Sequence, residues 1–302
     1  WKKFLIEQRK YQWFEDTVDK LATWMHLKHG MIVVDVGCGL GQLGLLYWPH
    51  FGKKGRYIGL DISHKLLRDA KKTAKTWIKK GKSYFITADA YKLPFSDAFA
   101  DCVMCQTLLY HLTTPQRALE EMVRIVKPEG IIVCKDLDYL STFLAKDFTS
   151  LPELTLKEQL LSAKVLLISH KGRIKLGRGD NSIGRKIPIM MKEAGLVDIV
   201  IKNNDLVYFL QPPYESQRQK SYIKMLRRRL RRKKDSKIWW KQAEEEFLAG
   251  GGTKREFTRY KKFVNKHTTL YKKQVKKGEY YRCTPGYFLV TIGRKPKRMR
   301  RK

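Results

Sequence analysis

The chain predicts an α/β protein built on a doubly wound parallel sheet, and three features carry that prediction. Residues 31–36 (MIVVDV) form a continuous apolar run that leads straight into GCGLGQLG. From there to residue 136, strand-like and helix-like segments alternate strictly, which implies right-handed βαβ units. An acid stands at the end of four of the first five strands, at Asp35, Asp61, Asp89 and Asp136. That is the edge at which open parallel sheets bind ligands.

Each element follows from local pattern. Residues 4–29 space their apolar positions as one or two amphipathic helices. Met31–Val36 reads as a strand buried on both faces, and Gln42–His50 as the helix after the glycines. Arg56–Asp61 is a second strand, and Ser63–Lys80 a helix with Ser63 as N-cap. Tyr84–Ala88 and Asp101–Thr107 are the third and fourth strands, and Pro115–Val126 is a helix stopped by KPEG. Ile131–Asp136 is the fifth strand. Tyr139–Asp180 is mostly helical and ends in the polar loop GRGDNSIGR. Ile187–Ala194 is a helix closed by Gly195, followed by a strand near Val197–Lys202 and extended chain to Leu210. A long basic helical stretch runs from Pro212-Pro213 to about Tyr280, broken at Gly250-Gly251-Gly252. Tyr287–Ile292 is a final strand, and Arg294–Lys302 a basic tail.

Composition bounds the class. With 43% apolar residues in 302, the chain can bury a core and is not wholly disordered. The apolar stretch Met31–Trp48 is long enough to span a membrane, but Asp35 and four glycines make it a strand, loop and helix instead. No secretory pattern stands at the start, and the five scattered cysteines suit a reducing compartment, so the expectation is a soluble, cytoplasmic protein. Cys102 and Cys105 have C-x-x-C spacing without a second pair, and no metal is expected. The net charge of +34 is lopsided, at +7 over residues 1–150 and +27 over residues 151–302. A half so cationic attracts anionic partners.

The segment GLGQLG satisfies G-x-G-x-x-G, a dinucleotide fingerprint, yet the acids around it favour another ligand. Asp61, 20 residues after Gly41, suits the ribose hydroxyls of either NAD or S-adenosylmethionine. Asp35, just before the glycines, would repel a pyrophosphate and attract a sulfonium and an ammonium. Asp89, heading ADAYKLPF, can accept from an exocyclic amine. The balance falls to S-adenosylmethionine.

The segments VVDVGCGLGQLG, GLDIS, ADAYKLPF, DCVMCQTLLYHL and RIVKPEGIIV also resemble the successive motifs of class I S-adenosylmethionine-dependent methyltransferases, most closely the type 11 methyltransferase-domain group. The resemblance covers about residues 25–140. It implies a Rossmann-like, seven-stranded, mostly parallel sheet whose last strand inserts antiparallel. It also implies Asp61 on the ribose, Asp89 near adenine, and Gly37, Gly39 and Gly41 beside the methionine moiety. With Asp35 and the strand-end neighbours Gln42, Ile62, Ala90 and Gln106, these are the expected cofactor contacts.

The organisation expected is a helical segment over residues 1–30 and a cofactor-binding domain over 31–211. A basic helical insertion, a lid in this reading, covers 212–282, followed by a returning strand over 283–293 and a tail over 294–302. Methyl transfer runs on proximity, with a base only where the acceptor must lose a proton. His111 and Asp136, with Asp138 nearby, are the candidates for that work. Arg178, Asp180 and Arg185 could bind an anionic acceptor or merely form a surface loop. QPPY at 211–214 resembles the N-P-P-Y of amino-methylating enzymes but stands about a hundred residues too late, so it reads as a turn. RRRLRRKK at 227–234, followed by Trp239-Trp240 and RYKKF, could track phosphates or be a solvated face. The function expected is methyl transfer to a small or medium-sized molecule. The alternatives are an RNA methyltransferase recruited by the basic half, and a non-catalytic cofactor-binding protein.

Overall fold

The computed structural model describes residues 15–77, 82–144, 148–149, 152, 154–203, 206–231, 233–286 and 288–297. The chain divides into two compact units. An α/β unit comprises Phe14–Asp138, Asn181–Asn204 and Phe288–Lys302, and a helical unit takes Tyr139–Asp180 and Asp205–Tyr287.

The α/β unit holds a seven-stranded sheet in the order β3-β2-β1-β4-β5-β10-β7. Its strands are β1 (Ile32–Val36), β2 (Arg56–Asp61), β3 (Lys82–Thr87), β4 (Ala100–Gln106), β5 (Val126–Leu137), β7 (Val197–Asn203) and β10 (Phe288–Arg294). The first five are parallel, and β10 lies antiparallel between β5 and β7. The expected Rossmann-like sheet with an inserted antiparallel strand is therefore present. Its order reverses between β1 and β4, the switch point where ligands bind in such sheets.

Alternation along the strands sorts the two faces. Val34, Val36, Ile58, Leu60, Val103, Cys105, Ile132 and Cys134 share one buried cluster with Leu119, Met122 and Ile187. The last three come from α4 (Pro115–Ile125) and α7 (Ile187–Glu193). The alternate residues Val33, Asp35, Tyr57, Cys102 and Met104 are also buried, on the opposite face. Helices α1 (Glu15–Trp24), α2 (Gln42–Phe51) and α3 (His64–Trp77) complete this unit. At the entry to α3 the Leu66 N–H donates to Ser63 Oγ at 3.4 Å, the N-cap arrangement expected. Residues 4–14 of the expected N-terminal helices, and 298–302 of the tail, lie outside the described residues.

Two boundaries differ from expectation for physical reasons. Strand β3 begins two residues earlier than read, because it is a half-exposed edge without a clean apolar run. Strand β5 takes in KPEG, where Glu129 adopts φ 63° and the Lys295 Nζ donates to the carbonyls of Val123 and Val126 at 2.7 and 2.8 Å.

The helical unit contains α5 (Tyr139–Leu144), α6 (Leu156–Lys175), α8 (Gln217–Arg231), α9 (Lys233–Ala249) and α10 (Lys254–Lys277). A small antiparallel sheet joins β6 (Phe148–Thr149), β9 (Arg282–Gly286) and β8 (Leu206–Leu210). The expected domain over 31–211 is interrupted, because α6 packs with the basic helices. Val165 of α6, Phe247 of α9 and Phe257 of α10 form one buried cluster. Helices α6 and α9 meet in backbone contact. A Cβ on Gly172 would lie 1.7 Å from the Glu246 carbonyl, and one on Gly250 2.0 Å from that of Ile168. QPPY sits at the entry to this unit, where Tyr214 is buried and its hydroxyl donates to the Tyr280 carbonyl at 2.9 Å.

Candidate functional site

The carboxyl ends of β1 and β2 are stitched together by backbone donors. The Cys38 N–H bonds the Leu60 carbonyl at 2.8 Å. The Gly39 N–H donates to Asp61 Oδ2 at 2.9 Å, and the Ser63 N–H to Asp61 Oδ1 at 2.8 Å. Asp61 is thus held by the loop after β1 and by the entry to α3, with each oxygen accepting one amide. The loop needs glycine to reach this position. Gly37, Gly39 and Gly41 all take left-handed φ values of 72°, 55° and 71°, where a Cβ is strained. Gly39 differs from its neighbours, since a Cβ there would meet nothing within 4 Å, whereas one on Gly37 would strike Leu108 at 2.8 Å. The loop therefore presents bare backbone to open space beside a fixed carboxylate.

The other expected contacts take their places around it. Ile62 follows Asp61 and is 76% exposed, a large apolar side chain left facing solvent. Asp89 closes a short turn, with its Oδ1 accepting the Tyr91 N–H at 2.9 Å. That turn is tied to β2 through the Ala88 N–H on the Asp61 carbonyl at 3.2 Å. Ala90 packs against the core, and Gln42 opens α2, half-buried. Gln106 ends β4 buried, and its Oε1 has no hydrogen-bond partner among the described residues.

Two of the expected residues are fully buried. Asp35 has no exposed surface, and its Oδ2 accepts the Tyr57 hydroxyl at 2.6 Å. Its carboxylate is therefore covered by the protein in this structure. The field of that carboxylate is legible in Cys38, whose thiol is held well above its ordinary value by burial and then by Asp35 and Asp61. Asp136 is also fully buried, with its Oδ2 accepting the Leu109 N–H at 3.1 Å. Burial pushes its carboxyl up to about 8, against the opposing pull of the Leu109, Leu137 and Tyr110 backbone donors. The Leu109 bond ties it to the short 3-10 turn Leu109–His111. His111 is exposed on that turn, its ring centroid 3.7 Å from that of Tyr110.

The remaining candidates fall elsewhere. Arg185 pairs with buried Asp138 at 2.7 Å in the α/β unit. In the helical unit, Arg178 pairs with Glu245 at 2.7 Å and Asp180 with His170 at 3.6 Å. Cys102 and Cys105 point to opposite faces of β4, and burial pushes the Cys102 thiol up to about 12. Sequence reasoning missed Tyr57 and Leu108. Both read as ordinary core residues, and nothing in their own segments reveals the loop they support.

The fold and the loop together define a Rossmann-like α/β domain of the methyltransferase type. Residues 34–134 match the family model described as a methyltransferase domain. An uncharacterised methyltransferase of Schizosaccharomyces pombe is 35% identical over 132 residues, 41% of this chain and 47% of that protein. The tRNA (carboxymethyluridine(34)-5-O)-methyltransferase of Arabidopsis thaliana is 36% identical over 38% of this chain and 26% of its own length. Demethylmenaquinone methyltransferase of Desulfitobacterium hafniense is 31% identical over 39% of this chain and 47% of its own. The chain thus spans about half or less of the length of these relatives. Among solved structures, the YcgJ protein of Bacillus subtilis shares the fold, with a TM-score of 0.51 at 14% identity over 94% of this chain and 99% of that one. No helix among the described residues is long and apolar enough to cross a membrane.

Proposed function

We propose that the protein transfers a methyl group from S-adenosylmethionine to an acceptor at the carboxyl edge of β1, β2 and β4. The observation that carries this reading is the carboxylate of Asp61, fixed by the Gly39 and Ser63 N–H groups next to an open glycine loop. A carboxylate has about four acceptor sites. Those not used by the two amides serve a pair of ribose hydroxyls. Exposed Ile62 offers an apolar surface to a purine face, and Asp89 an acceptor for an exocyclic amine. Asp35 and Asp61 place the loop in a negative field, which suits a sulfonium and an ammonium and opposes a diphosphate.

Bound S-adenosylmethionine supplies an electrophilic methyl group on cationic sulfur. The chain's residues hold and orient, which suffices for an in-line displacement. Asp136 is a positioning residue that braces the turn bearing Tyr110 and His111. His111, exposed on that turn, takes a proton where the acceptor must lose one. A small or medium-sized acceptor reaching this edge is the first reading. RNA is the second, favoured by the cationic surface of α10.

Titration calorimetry tests the proposal. Asp61→Ala is expected to weaken S-adenosylmethionine binding by about 1.5–3 kcal/mol, the scale of hydrogen bonds to a charged group. NAD is expected to bind negligibly. Unchanged affinity in a folded Asp61→Ala variant, or tight NAD binding, would overturn the assignment of the site.

A further inference from the structure

Helix α10 carries ten Lys and Arg residues and one acid, Glu256, among its 24 residues. All ten cations are exposed. The acid is already engaged, since Glu256 closes the capping box with Thr253 and pairs with Lys164 at 2.5 Å. Phe257, His267 and Val275 turn the opposite face inward. At 100° per residue, Arg255, Arg259, Lys262, Lys266, Lys273 and Lys277 fall on one line along the outer face. The line extends about 33 Å. Lys277 pairs with Glu279 at 3.6 Å, but the other five form no ion pair among the described residues. The exposed uncharged residues beside them are Thr258, Asn265 and Thr269, while Leu270 and Phe263 at the margin of the line are partly buried.

We infer that this face is a docking track for the phosphate backbone of a nucleic acid. A row of cations at about one per turn, five of them without an ion pair among the described residues, complements a regular polyanion, and binding gains from counterion release. The alternative polyanion, an anionic bilayer, is held most firmly by a helix that also inserts large apolar side chains. Helix α10 exposes none of the large hydrophobic residues that would serve, and its interleaved Thr and Asn donate hydrogen bonds instead. The track is also distinct from RRRLRRKK, the run most conspicuous in the sequence. It stands apart from the methyl-transfer reading, for it holds whether the nucleic acid is the acceptor or only the partner.

The test uses the full chain and a fluorescently labelled, unstructured 20-nucleotide RNA, with binding read by anisotropy across a salt series. Arg255, Arg259, Lys262, Lys266 and Lys273 are replaced together by Gln, which keeps helix propensity at exposed positions. The affinity should fall by about a hundredfold or more at low salt. The slope of log K against log salt should become shallower by about 3, from about 0.7 per lost phosphate contact. A charge-matched control replaces exposed Lys53, Lys54, Lys71, Lys72 and Lys75 of the α/β unit by Gln. An equal loss in this control would show attraction to net charge alone and overturn the track. Loss of binding to phosphatidylglycerol vesicles with RNA binding unchanged would also overturn it, in favour of a membrane. Circular dichroism confirms that both variants are folded. S-adenosylmethionine affinity, measured on the same samples, should stay unchanged, which keeps this test separate from that of the methyl-transfer site.

Discussion

At the scale of single residues, the site rests on carboxylates whose surroundings give them different work. The place of Asp61 at the end of β2 was legible from the apolar run before it and from its spacing to the glycines. The work of Asp35 was not legible, since its partner Tyr57 lies 22 residues away and reads as core. Asp136 shows the same limit, for its acid was visible but its complete burial was not. That burial has a measurable consequence. The carboxyl titrates near 8 when folded and near its ordinary value, about 3.9, when unfolded. Between those values the folded state binds the extra proton, so this group's contribution to stability declines as pH rises and levels off above 8. Asp136→Asn removes the titration while keeping an acceptor for the Leu109 N–H. Urea unfolding from pH 5 to pH 8 should show the variant gaining on the native protein by up to about 1.4 kcal/mol per pH unit. Parallel pH profiles for the two proteins would mean that the buried carboxyl does not hold its proton.

Among the elements, legibility followed burial. Strands β1, β2 and β4 are continuous apolar runs ending in polar residues, and their bounds were read within a residue. Strand β9, RCTPG, falls mostly within the single returning strand expected over 283–293, but it is a separate strand from β10. Its Pro285 lies opposite Val207 of β8, and among the described residues β9 pairs there only with β8, a position at which proline is tolerated. The close approach of α6 to α9 was hidden, since Gly172 and Gly250 lie 78 residues apart and look like ordinary helix and turn glycines. The packing makes them consequential. Gly172→Ala would push a methyl group into the Glu246 carbonyl, although alanine is the better helix former. The expected outcome is a loss of about 2–4 kcal/mol through overpacking and forced separation of the two helices. Chemical denaturation monitored by tryptophan fluorescence would measure it. A stabilised variant would refute the close contact.

For the molecule as a whole, charge dominates. A net charge of +34 on 302 residues sets every cation against many others, and self-repulsion of this kind destabilises a compact state. Raising sodium chloride from 50 to 500 mM shortens the screening length severalfold. The melting temperature should therefore rise by several degrees, the reverse of what salt does to a fold held by exposed ion pairs. A fall in melting temperature would show that pairs such as Arg294 with Glu129 and Asp198 outweigh the repulsion.

The seven-stranded sheet also imposes an order on synthesis. Its strand β10 fills the gap between β5 and β7, yet it is translated only after all of β8, α8, α9, α10 and β9. Until residue 294 has cleared the ribosome, β5 and β7 each present a bare edge of unpaired amides and carbonyls. Such edges recruit other strands. The nascent chain is thus exposed to misassembly for the time taken to make about ninety residues, and a message cut short anywhere in that interval yields a protein with its sheet split in two.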